Sequence, residues 1–514
     1  MQHRLFFVLL CTTFVSVSAC KTRTSDASKS TAISTDPNVV SFTVLQINDV
    51  YEINPVVSGS QGGLARVATL KKTLLAENPN LITVLPGDFL SPSAMGATAV
   101  DGEPLAGKQM VATLNAVGID YVSFGNHEFD LTEARLLARM NESHFKWIGS
   151  NVRTSTNTMI ARSVSDVVVP FHNSAGAEVK VGLFGICINT TEKSYVQFLP
   201  TIETARHEVS ALTPQSNVII AMTHLSISED KALAAQVPAI DVVLGGHEHV
   251  HTAEESGDDH TPIFKADANA RTAYVHRMTY DISTKKFLID STLVDMDASV
   301  PLDDSVKAVA QQWTDSVFTA LRASGTDPER ILGVTNETLE GFEATVRSQP
   351  TTLTNLVGES FFAAEPTADA VVYGAGSIRI DDRILPGPVT QYDVLRIFPF
   401  GGKLILADML GRVVTRMLDQ GVLNAGTGGY LQTVKVTRDQ ASNSWFMSGA
   451  PIVNEHHYRI LVNEYLLTGL ERGLEFLGPT STVDPVVAIR DSAMVQTALA
   501  TWLGRTIPTF KIRP

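Results

Sequence analysis

The chain has 514 residues, 44% of them hydrophobic and 18% charged, with a mean hydropathy of +0.09. That is ordinary globular composition, long enough for two or three cores. A formal net charge of −14 argues against a nucleic-acid partner, so an anionic ligand would have to be met by metal ions or a few arginines.

Residues 1–20 read as a signal segment. His3 and Arg4 give a basic start, and Leu5 to Val17 is an apolar run too short to span a bilayer comfortably. Val17-Ser18-Ala19-Cys20 resembles a bacterial lipoprotein cleavage box, which would make Cys20 a lipidated N-terminus and the contact with a membrane. Plain secretion with cleavage after Ala19 is the alternative. Lys21 directly after the cysteine resembles the outer-membrane sorting pattern, so the expected location is a periplasmic or cell-surface lipoprotein of the outer membrane. Residues 21–40 are Ser/Thr-rich without an apolar period and read as a flexible tether. Cys11 lies in the leader and Cys20 is the anchor, so Cys187 is the only thiol left for the folded body and no internal disulfide is expected. It sits in the apolar run Val181 to Ile188 and is expected to be a buried core residue. No transmembrane helix is expected in the mature chain.

Six strand-like runs follow the tether, most of them ending in polar clusters. Phe42 to Ile47 ends at Asn48-Asp49-Val50-Tyr51, and Leu81 to Leu85 at Pro86-Gly87-Asp88. Tyr121 to Phe124 ends at Gly125-Asn126-His127-Glu128-Phe129-Asp130. Val181 to Ile188 ends at Asn189-Thr190, Val218 to Met222 at Thr223-His224, and Val242 to Leu244 at Gly245-Gly246-His247-Glu248-His249. Helical spacing predicts helices over Leu64 to Ala76, Gly107 to Val117 and Thr132 to Met140. Strands alternating with helices imply an α/β layered domain, and open α/β sheets carry their chemistry at strand ends.

Each polar cluster has a bland reading. Asp49 and Asp88 could cap turns, and Glu128 or Asp130 could cap the next helix. A single His224 at a strand end is more often structural. His247 and His249, two apart, would point the same way in an extended segment. Taken together, two carboxylates, an Asn-His pair, a histidine and a His-x-His at strand ends form a hard oxygen-plus-imidazole set that suits Zn²⁺, Mn²⁺ or Fe. Two ions about 3.5–4 Å apart would clamp the attacking and leaving oxygens of an in-line displacement at phosphorus.

The series Asp49, Gly87-Asp88, Gly125-Asn126-His127-Glu128, His224 and Gly246-His247-Glu248-His249 resembles the calcineurin-like metallophosphatases, and more closely their 5′-nucleotidase branch. Leu45 to Asp49, Gly62-Gly63-Leu64-Ala65-Arg66 and Glu128-Phe129-Asp130 are similar to that branch as well. The resemblance implies a four-layer αββα sandwich over residues 41–298, a connector over 299–326 and an α/β substrate-binding domain over 327–514. It implies two divalent metal ions (Zn, Mn or Fe), with Asp88 bridging them. Asn126, His224 and His247 would complete one site, while Asp49 and His249 serve the other. His127, aligned by Asp130, would steady the phosphoryl oxygen or leaving group, and a metal-bound hydroxide would be the nucleophile. The family's usual Asp-x-His is Asp49-Val50-Tyr51 here. Tyr51 would either ligate a ferric ion as phenolate or stand beside the metals without ligating.

Asp303 to Arg322 carries Val306, Val309, Trp313, Val317 and Leu321 near a helical stripe, which predicts a connector helix; a helix packed on either domain is the alternative. Beyond it, Val334 to Leu339 predicts a strand, Thr354 to Ala364 a helix, and Ala370 to Tyr373 a strand. The last of these ends at Gly374-Ala375-Gly376-Ser377-Ile378-Arg379, a turn that would show amides and a cation to an anion, or be a plain tight turn. This half resembles the C-terminal domain of 5′-nucleotidases, which implies that Phe400 and Tyr465 sandwich a base, Arg379 contacts the nucleotide, and Glu471 stands where an aspartate is frequent. Gly374 and Leu470 depart from that pattern. The expected function is hydrolysis of nucleoside 5′-monophosphates or related nucleotides to nucleoside and phosphate. The alternatives are cyclic nucleotides, nucleotide sugars or a non-nucleotide phosphate ester on the same scaffold, or a surface lipoprotein that binds a ligand without turning it over.

Overall fold

The alternation read from the sequence produces two sheets packed face to face. The computed structural model describes residues 35–189, 193–481 and 486–506. The leader, Cys20 and most of the tether therefore lie outside the described residues.

The first sheet has seven strands in the order Lys286–Asp295, Thr272–Asp281, Val39–Gln46, Leu81–Pro86, Tyr121–Ser123, Lys146–Ile148, Ser163–Val164. From Val39–Gln46 onward the neighbours run parallel, and the two strands on its other side pair antiparallel. The second sheet has six strands, Thr252–Ser256, Thr261–Lys265, Val242–Gly245, Val218–His224, Glu178–Cys187 and Asp166–His172, with a parallel centre and antiparallel edges.

Alternate residues of Val39–Gln46 explain the layering. Val40, Phe42 and Val44 enter the core between the sheets, where Phe42 stacks on Phe171 of the opposite sheet with ring centroids 4.8 Å apart. Leu45 and the following Ile47 face the outer core instead. A strand buried on both faces needs a near-continuous apolar run, which is why these segments stood out in the sequence. Leu64–Glu77, Lys108–Val117 and Glu133–Glu142 cover the outer face of the first sheet. Thr201–Leu212 and Ile227–Gln236 cover the second, which completes four αββα layers. Cys187 is buried and unpaired, as its apolar run implied.

The helix Asp304–Ala323 starts at Asp303, whose carboxylate accepts from the Ser305 and Val306 amides. It packs Val306, Ala310 and Val317 into the outer core of the first sheet. Phe318 then meets Tyr392 of the following half with centroids 5.1 Å apart. No helix among the described residues is long and apolar enough to cross a membrane.

The C-terminal half is built on a five-stranded sheet, Leu431–Val434, Ala370–Gly374, His457–Asn463, Lys403–Leu410 and Val487–Met494. Helices Thr352–Ala364 and Val495–Thr506 pack on one face and Gly411–Leu423 on the other. One expected strand is displaced: Val334 to Leu339 is broken, with strands at Ile331–Thr335 and Leu339–Glu340. The Thr335 hydroxyl bonds to both the carbonyl and the amide of Glu337, and this local closure competes with the ladder.

Candidate active site

Both sheets send the same end of their parallel strands to one edge. Asp49 follows Val39–Gln46, Asp88 follows Leu81–Pro86, and Asn126 and His127 open the turn Asn126–Asp130 after Tyr121–Ser123. His224 is the last residue of Val218–His224, and His247 and His249 follow Val242–Gly245. The loops meet closely because glycine allows it. A Cβ on Gly125 would lie 2.2 Å from Asp88 Oδ1, and one on Gly246 would lie 2.6 Å from the Pro86 carbonyl. Four site residues carry left-handed backbone without being glycine: Asp49 (φ 53°), Asp88 (φ 57°), His247 (φ 88°) and His249 (φ 59°). Such conformations cost about 1–3 kcal/mol each and concentrate where function demands them.

Glu128 locks two of these loops together. It is wholly buried, and its carboxylate accepts from the amides of Asp88 (2.9 Å), Phe89 (2.8 Å), Leu90 (3.1 Å) and Gly125 (2.7 Å). Burial pushes this carboxyl up to about 7, with the Asp88 charge adding to it and the amides opposing. Asp88 Oδ1 accepts from the His127 amide at 2.8 Å, so Oδ2 is the oxygen left facing the cluster. Asp49 Oδ2 accepts from Asn48 Nδ2 (2.8 Å) and the His247 amide (2.9 Å), which leaves Oδ1 facing inward. His224 Nδ1 lies 2.9 Å from the Pro86 carbonyl, which makes Nδ1 the donor and turns Nε2 inward.

The result is a buried cluster of lone pairs. Asp49, Asp88 and His224 each offer a ligand atom, and these atoms lie within 4.8 Å of one another. Asp49 Oδ1, Asn126 Oδ1 and His224 Nε2 are buried without a hydrogen-bond partner. His224 Nε2 is 3.2 Å from Asp88 Oδ2, an ion-pair distance lacking hydrogen-bond alignment. Buried polar atoms are nearly always satisfied, and an oxygen, an amide oxygen and an imidazole nitrogen left open together fit a divalent cation. The charges are strongly coupled. Burial opposes ionisation of Asp88, but His224 and His127 outweigh it and hold the carboxyl well below its ordinary range. Burial likewise opposes the charge on His224, yet Asp88 and Asp49 push that imidazole up to about 10. Asp49 is raised, chiefly by burial, and His247 is lowered by burial and by His224.

The i, i+3 pair predicted from the sequence is made: His127 Nδ1 is 2.8 Å from Asp130 Oδ2, which also accepts from Ser91 Oγ at 3.0 Å. The Asp130 carboxyl lies below its ordinary range because the His127 contacts outweigh burial. The other ring nitrogen of His127 lies 3.5 Å from Arg379 Nη1 of the second half.

His247 and His249 do not project together, because their left-handed backbone bends the segment out of the extended form. The His247 ring lies against His224, centroids 5.2 Å apart. His249 Nε2 lies 3.5 Å from Asp49 Oδ1 and 3.0 Å from the Tyr51 hydroxyl, which is also 3.1 Å from Asp88 Oδ2. His249 Nδ1 reaches Asp381 Oδ2 at 3.1 Å and Glu343 Oε1 at 3.6 Å. Burial works against charging His249, but Glu343 and Asp381 push it up to about 9. Burial and the carboxylates around it hold the Tyr51 phenol well above its ordinary value.

In the second half the Gly374 turn is a tight turn rather than an amide cradle. The amides of Gly374, Ala375, Gly376, Ile378 and Arg379 are taken by Asn463, Tyr430, Gly428, Ala375 and Ile397. Gly376 is required for close approach, since its Cβ would lie 2.9 Å from Gly428 Cα. The cation of that turn does reach the first half at His127, and the Arg379 guanidinium lies 5.8 Å from the Phe400 ring centroid. Phe400 and Tyr465 flank paired strands in which Leu404 faces Asn463, and they are 60% and 48% exposed. Glu471 is partly buried with its carboxyl raised by burial. Sequence reasoning missed Arg347, Asp381 and Glu343. The Nε atoms of Arg347 and Arg379 are both buried without a partner. Asp381, two residues beyond Arg379, was the one signal available.

Comparison with known proteins follows the same division. Residues 42–251 match the calcineurin-like phosphoesterase family and residues 331–476 the 5′-nucleotidase C-terminal domain. The chain is 22% identical over 487 residues to "Protein 5NUC" of Lutzomyia longipalpis, covering 82% of this chain and 81% of that one. It is 23% identical over 441 residues to the 5′-nucleotidase of Homo sapiens, covering 76% and 74%. The crystal structure of a 5′-nucleotidase precursor from Thermus thermophilus superposes with a TM-score of 0.76 at 20% identity, covering 90% of this chain and 96% of that one.

Proposed function

The chain is a two-domain calcineurin-like metallophosphatase with a 5′-nucleotidase C-terminal domain, and on that premise we propose that it hydrolyses nucleoside 5′-monophosphates or related nucleotides to nucleoside and phosphate. The observation that carries this reading is the convergence of the unpartnered Asp49, Asn126 and His224 atoms beside Asp88. Asp49, Asp88, Asn126 and His224 are the residues we assign to a divalent cation, with His247 against His224 and His249 beyond Asp49. Bound there, the cation would supply Lewis-acid polarisation of the phosphoryl group and activation of water.

The remaining roles belong to the chain itself. Asp130 fixes the His127 ring through Nδ1, so His127 Nε2 turns toward Arg379 and can hold a proton on the phosphoryl or leaving oxygen. Arg379 stands beside that nitrogen as the counter-charge for the phosphate. Phe400 and Tyr465 offer large exposed faces for a base, and Glu471, which feels the charges of Arg347 and Arg379, is assigned as a further polar contact. We place the limits of the phosphatase domain, connector and substrate domain at 41–298, 299–326 and 327–514. From the sequence alone we read the protein as a secreted lipoprotein anchored through Cys20.

The test is a panel of phosphate esters scored by free phosphate, after chelation and after adding back Mn²⁺ or Zn²⁺. Nucleoside monophosphates should lead, and chelation should abolish release. Equal rates across the panel would favour the second reading, a nucleotide sugar, cyclic nucleotide or non-nucleotide ester, which the departures at Gly374 and Leu470 motivate. No metal-dependent release from any ester would leave a non-catalytic binding protein.

A further inference from the structure

We propose that this chain holds one divalent ion at its catalytic cluster rather than a pair, because the Tyr51 hydroxyl fills the place between Asp88 and His249 that a second ion would take. The inference rests on the reading above, that Asp49, Asp88, Asn126 and His224 face a cation.

A divalent first-row ion sits about 2.0–2.2 Å from oxygen and nitrogen ligands, so two ligands of one ion lie within roughly 4.4 Å of each other. The facing atoms of Asp49, Asp88 and His224 are gathered to about that scale, within 4.8 Å. His249 falls outside this gathering although its Nε2 is 3.5 Å from Asp49 Oδ1. What joins His249 to Asp88 is the phenol: Tyr51 Oη lies 3.0 Å from His249 Nε2 and 3.1 Å from Asp88 Oδ2. These are hydrogen-bond lengths, and the oxygen making them sits where an ion shared by Asp88 and His249 would have to be.

Tyr51 is not free to leave. It is 7% exposed, and its backbone amide donates to Asn269 Oδ1 at 3.0 Å. Its ring lies 5.3 Å from the His249 ring and edge-on to His127 at 6.2 Å. His249 is pinned as well, with Nδ1 against Asp381 and Glu343. A phenol hydroxyl is a poor ligand for Zn²⁺ or Mn²⁺ but a good donor to a carboxylate. Tyr51 therefore does for Asp88 Oδ2 with a hydrogen bond what a second cation would do with charge. The positive charge needed opposite a phosphate then comes from the single ion together with Arg379 and Arg347, whose Nε atoms are buried and unpartnered.

The experiment is a metal count on the full chain. Protein saturated with Mn²⁺ or Zn²⁺ and freed of excess is analysed for ions per chain, beside a Tyr51→His variant. The expected result is one ion in the wild type and two in Tyr51→His. Two ions in the wild type, or one in both proteins, overturns this inference and leaves the proposed function standing. No ion in the wild type overturns the proposed function and this inference with it. Wild-type protein loaded with Fe³⁺ gives a readout that needs no variant. A phenolate-to-iron absorption band in the visible would show Tyr51 ligating and overturn the inference, and a colourless protein supports it.

Discussion

Replacing Glu128 by glutamine tests whether one buried carboxylate holds the metal-facing loops together. Each Glu128 oxygen accepts two backbone amides, Asp88 and Gly125 at one, Phe89 and Leu90 at the other. Glutamine keeps the shape but turns one acceptor into an NH₂ group, leaving two buried donors facing a donor. An orphaned buried donor costs about 1–3 kcal/mol, so Glu128→Gln should lose about 2–6 kcal/mol. That is a large share of the roughly 5–15 kcal/mol that stabilises a typical domain. Urea denaturation of metal-free protein reads the loss as a lower midpoint, and the same preparation, remetallated, should bind metal more weakly because Asp88 is no longer held. A change below about 1 kcal/mol with unaltered metal affinity would refute the claim that these four bonds set the loop geometry.

His127→Ala should lower turnover by about 10²–10⁴-fold while metal content stays at the wild-type level, since His127 lies outside the unpartnered ligand set. Asp382→Asn should loosen the two halves from each other. Asp382 accepts the Val57 amide of the first half at 2.7 Å and pairs at 2.6 Å with Arg396, which reaches Glu52 at 3.1 Å. Breaking a buried pair costs about 3–5 kcal/mol, and calorimetry should show one thermal transition splitting into two. Burial pushes His276 down to about 3, from an ordinary value near 6.5. Its neutral form therefore contributes stability that is complete above pH 6.5 and is lost as pH falls toward 3, by up to about 1.4 kcal/mol per pH unit. A His276→Gln variant should show a flatter acid limb in stability measured against pH.

The six strands expected in the first half were legible because most of their residues are buried and so read as largely apolar runs, whereas an exposed edge such as Thr252–Ser256 has no such run. Their ends are less legible, as with Glu178–Cys187 against the expected Val181 to Ile188. The His127–Asp130 contact was legible because three-residue spacing on a tight turn is a local property. Long-range contacts were not. Nothing in the spacing of Asp381 or Glu343 says that they meet His249, because that contact depends on how the two halves dock. The divergence of His247 and His249 was hidden for a different reason: it follows from left-handed backbone at non-glycine residues, which sequence propensity argues against. The Gly374 turn looked able to bind an anion because its glycines were visible. The carbonyls of Tyr430 and Gly428 that close it come from a distant loop.

The central claim is that Asp49, Asp88, Asn126 and His224 converge on a cation that drives phosphoester hydrolysis. The most direct measurement pairs metal content with phosphate release from a nucleoside monophosphate, in wild type and in Asp88→Asn. Loss of both metal and turnover in Asp88→Asn, with the fold retained by circular dichroism, is the predicted result. A folded Asp88→Asn protein with wild-type metal content and wild-type rate would contradict it.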